Sequence, residues 1–206
     1  MLAIFKREFK SYFQNVIGWL FVAALLAVYG LYFYVYNLKN GYPYISYDLK
    51  GIGFIMMIAV PILTMRSLSD EKKTKTDQLM LTSPVSVGRI VAGKYLAMAA
   101  VYTIDIALFA LSPLVLSIYG KVALSEAYVA LFGYWLYGLS CIAVGLFISS
   151  ISESVIISAI LTFAALFLSY MMQSITGLIS SSGNLLTKVL NCFDLYTPFE
   201  LSLIHI

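Results

Sequence analysis

Long apolar segments alternate with short polar intervals along most of the chain. About 20 predominantly apolar residues are enough for an α-helix to cross the hydrocarbon core of a bilayer. Membrane-spanning helices are predicted at residues 16–36, 51–65, 95–118, 127–148 and 155–175. Gly133, Gly138 and Gly145 in the fourth predicted span would let a neighbouring helix approach closely. The predicted fold is an all-α polytopic membrane protein with a single transmembrane domain over residues 1–206.

Residues 2–15 show a different pattern, in which apolar and charged positions recur near helical spacing. Leu2, Phe5 and Phe9 fall on one side, whereas Lys6 and Lys10 belong to the polar positions. This pattern predicts a short amphipathic helix that lies in the headgroup region of the membrane. The alternative is a cationic tail without fixed structure.

The longest polar interval, residues 66–94, separates the second and third predicted spans and carries six of the 13 Lys and Arg residues. These six are Arg66, Lys72, Lys73, Lys75, Arg89 and Lys94. Basic loops stay on the cytoplasmic side of a membrane. The resulting topology puts nine Lys and Arg residues inside and four outside, with the N-terminus cytosolic and residues 176–206 external.

Composition agrees with a membrane protein. Hydrophobic residues make up 61% of the chain and charged residues 11%, with a mean hydropathy of +0.91. Soluble domains have roughly 45–50% apolar and about 25% charged residues. The basic residues are strung between spans instead of forming one soluble face, which disfavours nucleic-acid binding. Cys141 and Cys192 lie in dissimilar surroundings, so neither a disulfide nor a metal site is predicted.

The interval 66–94 also contains residues that start helices. Ser67, followed three residues later by Asp70, is a candidate capping arrangement. Thr76 could cap a second short helix, and Ser86 a third that continues into the next span. These signals predict a folded docking element in place of a slack tether.

Three stretches carry a resemblance to a known family: Pro61-Ile-Leu-Thr-Met-Arg66, Leu79-Met-Leu-Thr-Ser-Pro-Val-Ser86 and Gly93-Lys-Tyr-Leu-Ala97. In this order, around an acidic and basic run, they resemble the permease subunits of the type-2 ABC exporter family, particularly those similar to gliding-motility ABC permeases. The chain departs from that family at Lys75, where Gly is usual, and at Gln78, where an acidic residue is usual.

The resemblance implies that residues 66–94 form the coupling helix, which seats in a groove on a separate ATPase subunit. The implied docking residues are Arg66, Asp70, Glu71, Thr76, Leu79, Leu81, Thr82, Pro84 and Ser86. Members of the family usually have six spans. Five are predicted here, so we expect residues 176–206 to be an external segment that is truncated before a sixth span.

Two features could be mistaken for catalytic sites. Residues 88–94 have the spacing G-x-x-x-x-G-K of a phosphate-binding loop, but Tyr95 stands where a Ser or Thr hydroxyl would bind magnesium. His205 is the single histidine and has no neighbouring group that would complete a hydrolase site. We therefore predict no catalytic, cofactor-binding or metal-binding residue, no cofactor, and ATP hydrolysis by a partner.

Asp105 lies about ten residues into the third predicted span, near the bilayer midplane. A carboxyl at this depth is costly and suggests function. It could contact substrate on a translocation path, bind a proton, or donate or accept a hydrogen bond on a neighbouring helix. Because no other predicted span contains Lys or Arg, we expect it to be protonated or to face a wet cavity.

The leading functional hypothesis is the permease subunit of an ATP-driven exporter in the plasma membrane. Its implied partners are cytosolic ABC ATPase subunits, a second copy or a sister permease, and membrane lipids. Two alternatives stay open from the residues alone. One is a membrane scaffold or sensor whose loop recruits a cytosolic partner, and the other is an ion-coupled carrier that uses Asp105.

Overall fold

The computed structural model describes residues 2–75, 86–120, 122–179, 192 and 194–199 of the 206-residue chain, and only the backbone at residues 3 and 173–179. The described part is helical and contains no strand. Its α-helices are α1 (Leu2–Gln14), α2 (Val16–Phe33), α3 (Ser46–Thr64), α4 (Ser69–Lys73), α5 (Val87–Phe109), α6 (Ser112–Tyr119), α7 (Leu124–Ile151) and α8 (Val155–Ile179). A π-helical segment, Tyr34–Lys39, extends α2.

Five helical segments in the described residues are long and apolar enough to cross a membrane: Val16–Lys39, Ser46–Lys73, Val87–Tyr119, Leu124–Ile151 and Val155–Met172. The all-α polytopic fold with five spans is therefore confirmed. In hydrocarbon every backbone N–H and C=O must be paired within the protein, and a helix achieves this within one segment.

Some helices begin or end at residues other than the predicted ones, and prolines lie near two of the observed ends. Residues 95–118 were predicted as a continuous span, but α5 begins at Val87 and stops at Phe109. Pro113 sits in the first turn of α6, where its missing N–H costs no hydrogen bond. A proline in a helix interior removes one backbone hydrogen bond and its ring clashes with the carbonyl four residues earlier. The helix is accordingly interrupted at Ala110 and Leu111, shortly before Pro113. Pro61 lies in the last turn of α3, which ends three residues later at Thr64.

Helix α3 is the centre of the bundle and the most buried of the spans. It packs against α2, α7 and α8, while α1 packs along α5 and the start of α2. Glycines of α7 permit two of the close contacts, as predicted. Gly138 faces the ring of Tyr102, and a Cβ at Gly145 would lie 2.5 Å from Thr64 Oγ1.

Part of the segment predicted to be external returns to the bundle. Residues 194–199 place Tyr196 and Phe199 in the core. The ring of Phe199 stacks on Tyr137 with centroids 5.2 Å apart, and the ring of Tyr196 lies 4.6 Å from that of Tyr170. Asp194 Oδ1 accepts the N–H groups of Tyr196 and Thr197, at 3.1 and 2.9 Å. These residues therefore pack against α7 and α8.

Candidate functional site

The beginning of the polar interval lies at one end of the bundle, where α1, α4, the start of α5 and the end of α7 meet. Helix α4 has only five residues, Ser69–Lys73, and is too short to be stable by itself. Leu68 stands at its N-cap and provides no side-chain hydrogen bond. The expectation that Ser67 begins this helix as a local cap is therefore wrong.

The missing cap comes from another span. Ser149 Oγ, near the end of α7, accepts the backbone N–H groups of Leu68 and Ser69, both at 3.2 Å. Ser69 Oγ in turn donates to the Ser149 carbonyl at 3.1 Å. The first N–H groups of a helix have no partner inside the helix, and a fully buried Ser149 supplies one here. Helix α4 is thus fixed to α7.

The end of α7 is stabilised reciprocally by α4. Lys72 Nζ donates to the backbone carbonyl of Ser150. This carbonyl belongs to the last turn of α7, where carbonyls lack helical partners and the helix dipole favours a positive charge. Each of the two helices therefore satisfies polar groups at the end of the other.

A buried ion pair joins α4 to α5. Lys94 is 2% exposed, and its Nζ lies 2.7 Å from Glu71 Oε1 and 2.8 Å from the Ser67 carbonyl. Glu8 Oε1 of α1 lies 3.5 Å from the same Nζ. The lysine of the G-x-x-x-x-G-K sequence is thus buried between helices next to two carboxylates, an arrangement that leaves it no access to a nucleotide phosphate.

Arg7 completes this group of charges, which we call the Lys94 cluster (Arg7, Glu8, Glu71 and Lys94). Its guanidinium lies 2.7 Å from Glu8 Oε1 and 3.8 Å from Glu71 Oε1. Two positive and two negative side chains therefore alternate across α1, α4 and α5. A buried charge is stable only when it is paired and hydrogen-bonded, so this cluster fixes the relative positions of the three helices.

Tyr12 strengthens the contact between α1 and α3. Burial, and to a smaller extent the Glu8 carboxylate, raises the pKa of Tyr12 above its ordinary value. The protonated hydroxyl donates to the Leu63 carbonyl at 3.4 Å. The amphipathic helix is consequently attached to the last turn of α3, directly before the polar interval.

The structure places four of the residues predicted to dock an ATPase. Arg66 and Asp70 are exposed, Glu71 belongs to the Lys94 cluster, and Ser86 is exposed at the N-cap of α5. Ser86 has the extended backbone of an N-cap residue, but its side chain makes no capping hydrogen bond. The other predicted docking residues, Thr76, Leu79, Leu81, Thr82 and Pro84, lie outside the described residues, as does His205.

Sequence reasoning missed the roles of Glu8, Lys94 and Ser149. The available signal for Lys94 was its position between small and aromatic residues at the start of an apolar helix, where a lysine needs an acidic partner. No sequence signal identified the partners, because Glu8 precedes Lys94 by 86 residues. The hydroxyl of Ser149 carried no signal at all.

Asp105 lies apart from this site. It is 11 residues beyond Lys94 on α5, or about 16 Å along the helix axis. The side chain is fully buried, and within the described residues neither carboxyl oxygen has a hydrogen-bond partner. The hydroxyl of Tyr134, on the neighbouring helix α7, is also buried without a partner among those residues. Asp105 is thus enclosed between helices in this conformation.

Comparison with known proteins gives one family. The sequence model of the family described as "ABC-2 family transporter protein" matches residues 26–203, which is most of the chain. No curated protein and no solved structure matches the chain. The matched range includes all five spans in whole or in part and the entire polar interval.

Proposed function

The chain belongs to the ABC-2 transporter family and is the permease component of an ABC transporter, and from this premise we propose that it forms an exporter driven by a separate ATPase. The ATPase subunit docks on residues 66–94, through Arg66, Asp70, Glu71, Thr76, Leu79, Leu81, Thr82, Pro84 and Ser86. ATP-driven movement of the partner then changes the tilt of the spans. A conformational change of this kind requires a partner that binds the two states with different affinity.

The observation that supports this function best is the attachment of α4 to three other helices. Ser149 and Ser150 connect α4 to α7, Lys94 connects it to α5, and Glu8 connects that lysine to α1. A displacement of α4 would therefore move α1, α5 and α7 together. A coupling segment needs this property, because a displacement imposed by the ATPase must be transmitted to the spans and not be lost by deformation of the loop.

We further propose that the α4 end of the bundle is cytosolic and that the protein resides in the plasma membrane. The excess of Lys and Arg near α1 and α4 supports this orientation through the positive-inside rule. Helix α1 lies in the headgroup region, and two permease subunits, identical or sister, enclose the path. Asp105 borders that path when the helices separate.

The docking surface is tested by replacing Leu79 and Leu81 with Asp in the complex of permease and ATPase. We expect the ATPase subunit to dissociate, and permease-stimulated ATP hydrolysis and export to be lost. The matched control replaces the same two residues with Met, which keeps an apolar surface and should preserve all three. Unchanged ATP hydrolysis and export in the Asp variant would show that coupling does not use this loop.

The orientation is tested with a membrane-impermeant thiol reagent on intact cells. The Arg66→Cys variant, in a Cys192→Ser background, should react only after the cells are permeabilised. The parent protein provides a comparison, since Cys192 is exposed and belongs to the segment that we propose to be external, so it should react on intact cells. Reaction of the Arg66→Cys variant on intact cells would place the polar interval outside and exclude a cytosolic ATPase as its partner.

A further inference from the structure

A groove of about 640 Å³ opens on the side of the bundle between α1, α5 and α7. Leu2 and Phe5 of α1 line one end, and Trp135 of α7 lines the side. Its floor is formed by α5 from Leu96 to Ala107, where the small side chains leave the space open. The hydroxyl of Thr103 in this floor accepts a hydrogen bond from Trp135 Nε1 at 3.0 Å. The groove is therefore apolar and shaped in part by a fixed indole ring.

The length of the groove indicates what could fill it. Leu96 and Ala107 are 11 residues apart on α5, which corresponds to about 16 Å. This is about half of the ~30 Å hydrocarbon core of a bilayer. A transmembrane helix of a second copy would need a face that continues across both leaflets. A groove that is one leaflet deep fits an acyl chain.

Two basic side chains lie one and two helical turns from residues that line the groove. Arg89 is seven residues, or two helical turns, before Leu96 and is on the same face of α5. Lys6 is one turn after Leu2 and therefore adjacent to it on the surface of α1. Both side chains are exposed. The acidic residue nearest to them in the sequence of α1, Glu8, is already paired with Arg7 and Lys94.

We propose that this groove binds one anionic phospholipid from the leaflet that faces α1. Its acyl chain lies along residues 96–107 of α5 against Trp135, and its phosphate lies between Lys6 and Arg89. Within a bilayer a lipid tail gains little by exchanging other tails for apolar side chains. Selectivity therefore comes from the headgroup, through the attraction of anionic lipids to basic residues near the surface.

Tryptophan fluorescence provides the test, because the chain has two tryptophans and one of them lines the groove. In the Trp19→Phe variant the emission comes from Trp135 alone. The variant is placed in phosphatidylcholine vesicles with a minor fraction of acyl-brominated phosphatidylglycerol or of acyl-brominated phosphatidylcholine. Quenching of Trp135 should show a preference for the anionic lipid on the order of tenfold. Trp19 in the Trp135→Phe variant is exposed and does not line the groove, so it should show no such preference.

Charge variants separate the headgroup site from general surface attraction. Lys6→Gln with Arg89→Gln should abolish the preference and leave quenching by the neutral lipid unchanged. Arg66→Gln with Lys73→Gln removes the same charge from exposed positions at the same end of the bundle and should keep the preference. All four side chains are exposed, so none of these variants is expected to disturb the fold.

Three results would overturn the assignment. Equal quenching by the two lipids would mean that Trp135 reports an ordinary lipid annulus. A preference that survives Lys6→Gln with Arg89→Gln would place the headgroup elsewhere. Absence of quenching by either lipid, with Trp135 cross-linking to a second subunit, would show that another copy covers the groove. None of these measurements involves an ATPase, so their outcome is independent of the proposed coupling.

Discussion

Replacing Lys94 with Met tests whether the Lys94 cluster holds α1, α4 and α5 together. Met preserves most of the side-chain volume but removes the charge and the hydrogen bonds to Glu71 and the Ser67 carbonyl. The carboxylates of Glu71 and Glu8 would then lie close together with the half-exposed Arg7 as the remaining cation of the Lys94 cluster. The substitution is therefore expected to destabilise the protein although the replacement residue is more hydrophobic.

The magnitude follows from burial. Removing one partner of a fully buried ion pair costs about 3–5 kcal/mol. The side chains of Glu71 and Glu8 retain 19% and 16% exposure, so water screens part of their repulsion. We expect a loss of about 2–3 kcal/mol in the free energy of unfolding, because this screening reduces the full cost. With about 2–4 °C of Tm for each kcal/mol at this chain length, the Tm should fall by about 4–12 °C.

The assay is thermal unfolding of the purified protein in lipid nanodiscs, arranged as a double-mutant cycle with Glu71→Gln. Neutralising Glu71 removes one of the two carboxylates that lose the Lys94 cation in the Lys94→Met variant. The double variant should therefore be more stable than the sum of the single changes predicts, by about 1–2 kcal/mol. Lys73→Met removes an exposed charge from the same helix and should change stability by less than about 0.5 kcal/mol.

Two outcomes would refute this reasoning. A Lys94→Met variant with the parental Tm would mean that the cluster contributes no net stability. Strict additivity with Glu71→Gln would mean that the two residues act independently in spite of their 2.7 Å contact.

Three further substitutions are tested by the same unfolding measurement. Ser149→Ala leaves two N–H groups at the start of α4 unsatisfied and should lower the free energy of unfolding by about 1–3 kcal/mol. The control Ser140→Ala, on an exposed part of α7, should be nearly neutral. Equal losses of stability in the two variants would contradict the capping role of Ser149. Gly145→Ala should cost about 1–3 kcal/mol because the new methyl meets Thr64, whereas Gly30→Ala, with nothing within 4 Å, should be neutral or stabilising. Asp105→Asn breaks no hydrogen bond made within the described residues, so the free energy of unfolding should change by less than about 1 kcal/mol. Export should fall while permease-stimulated ATP hydrolysis persists. Unaltered export would show that Asp105 does not border the translocation path.

The predicted coupling residues show how far sequence reasoning reached. The hydropathy pattern located the polar interval, and Arg66, Asp70 and Ser86, three of the predicted docking residues, are exposed in the structure. It did not reveal that Glu71 is an internal ion-pair partner, because the other members of the cluster come from α1 and α5. The local cap predicted for Ser67 was wrong for a related reason. A helix start needs an acceptor, and the sequence cannot say whether the nearest one is a few residues away or, like Ser149, 80 residues away.

The sequence by itself determined the helical class, the five spans and the concentration of basic residues at one end. It could do so because a bilayer forces each apolar segment to satisfy its own backbone as a helix, so hydropathy along the chain is sufficient. The tertiary structure decided which polar groups meet: Lys94 with Glu71 and Glu8, Ser149 with the start of α4, and Tyr196 with the core. Those partners depend on the packing of helices that are distant in the chain. Helical periodicity in the sequence shows which face of a helix is covered, but it does not show which other helix covers that face.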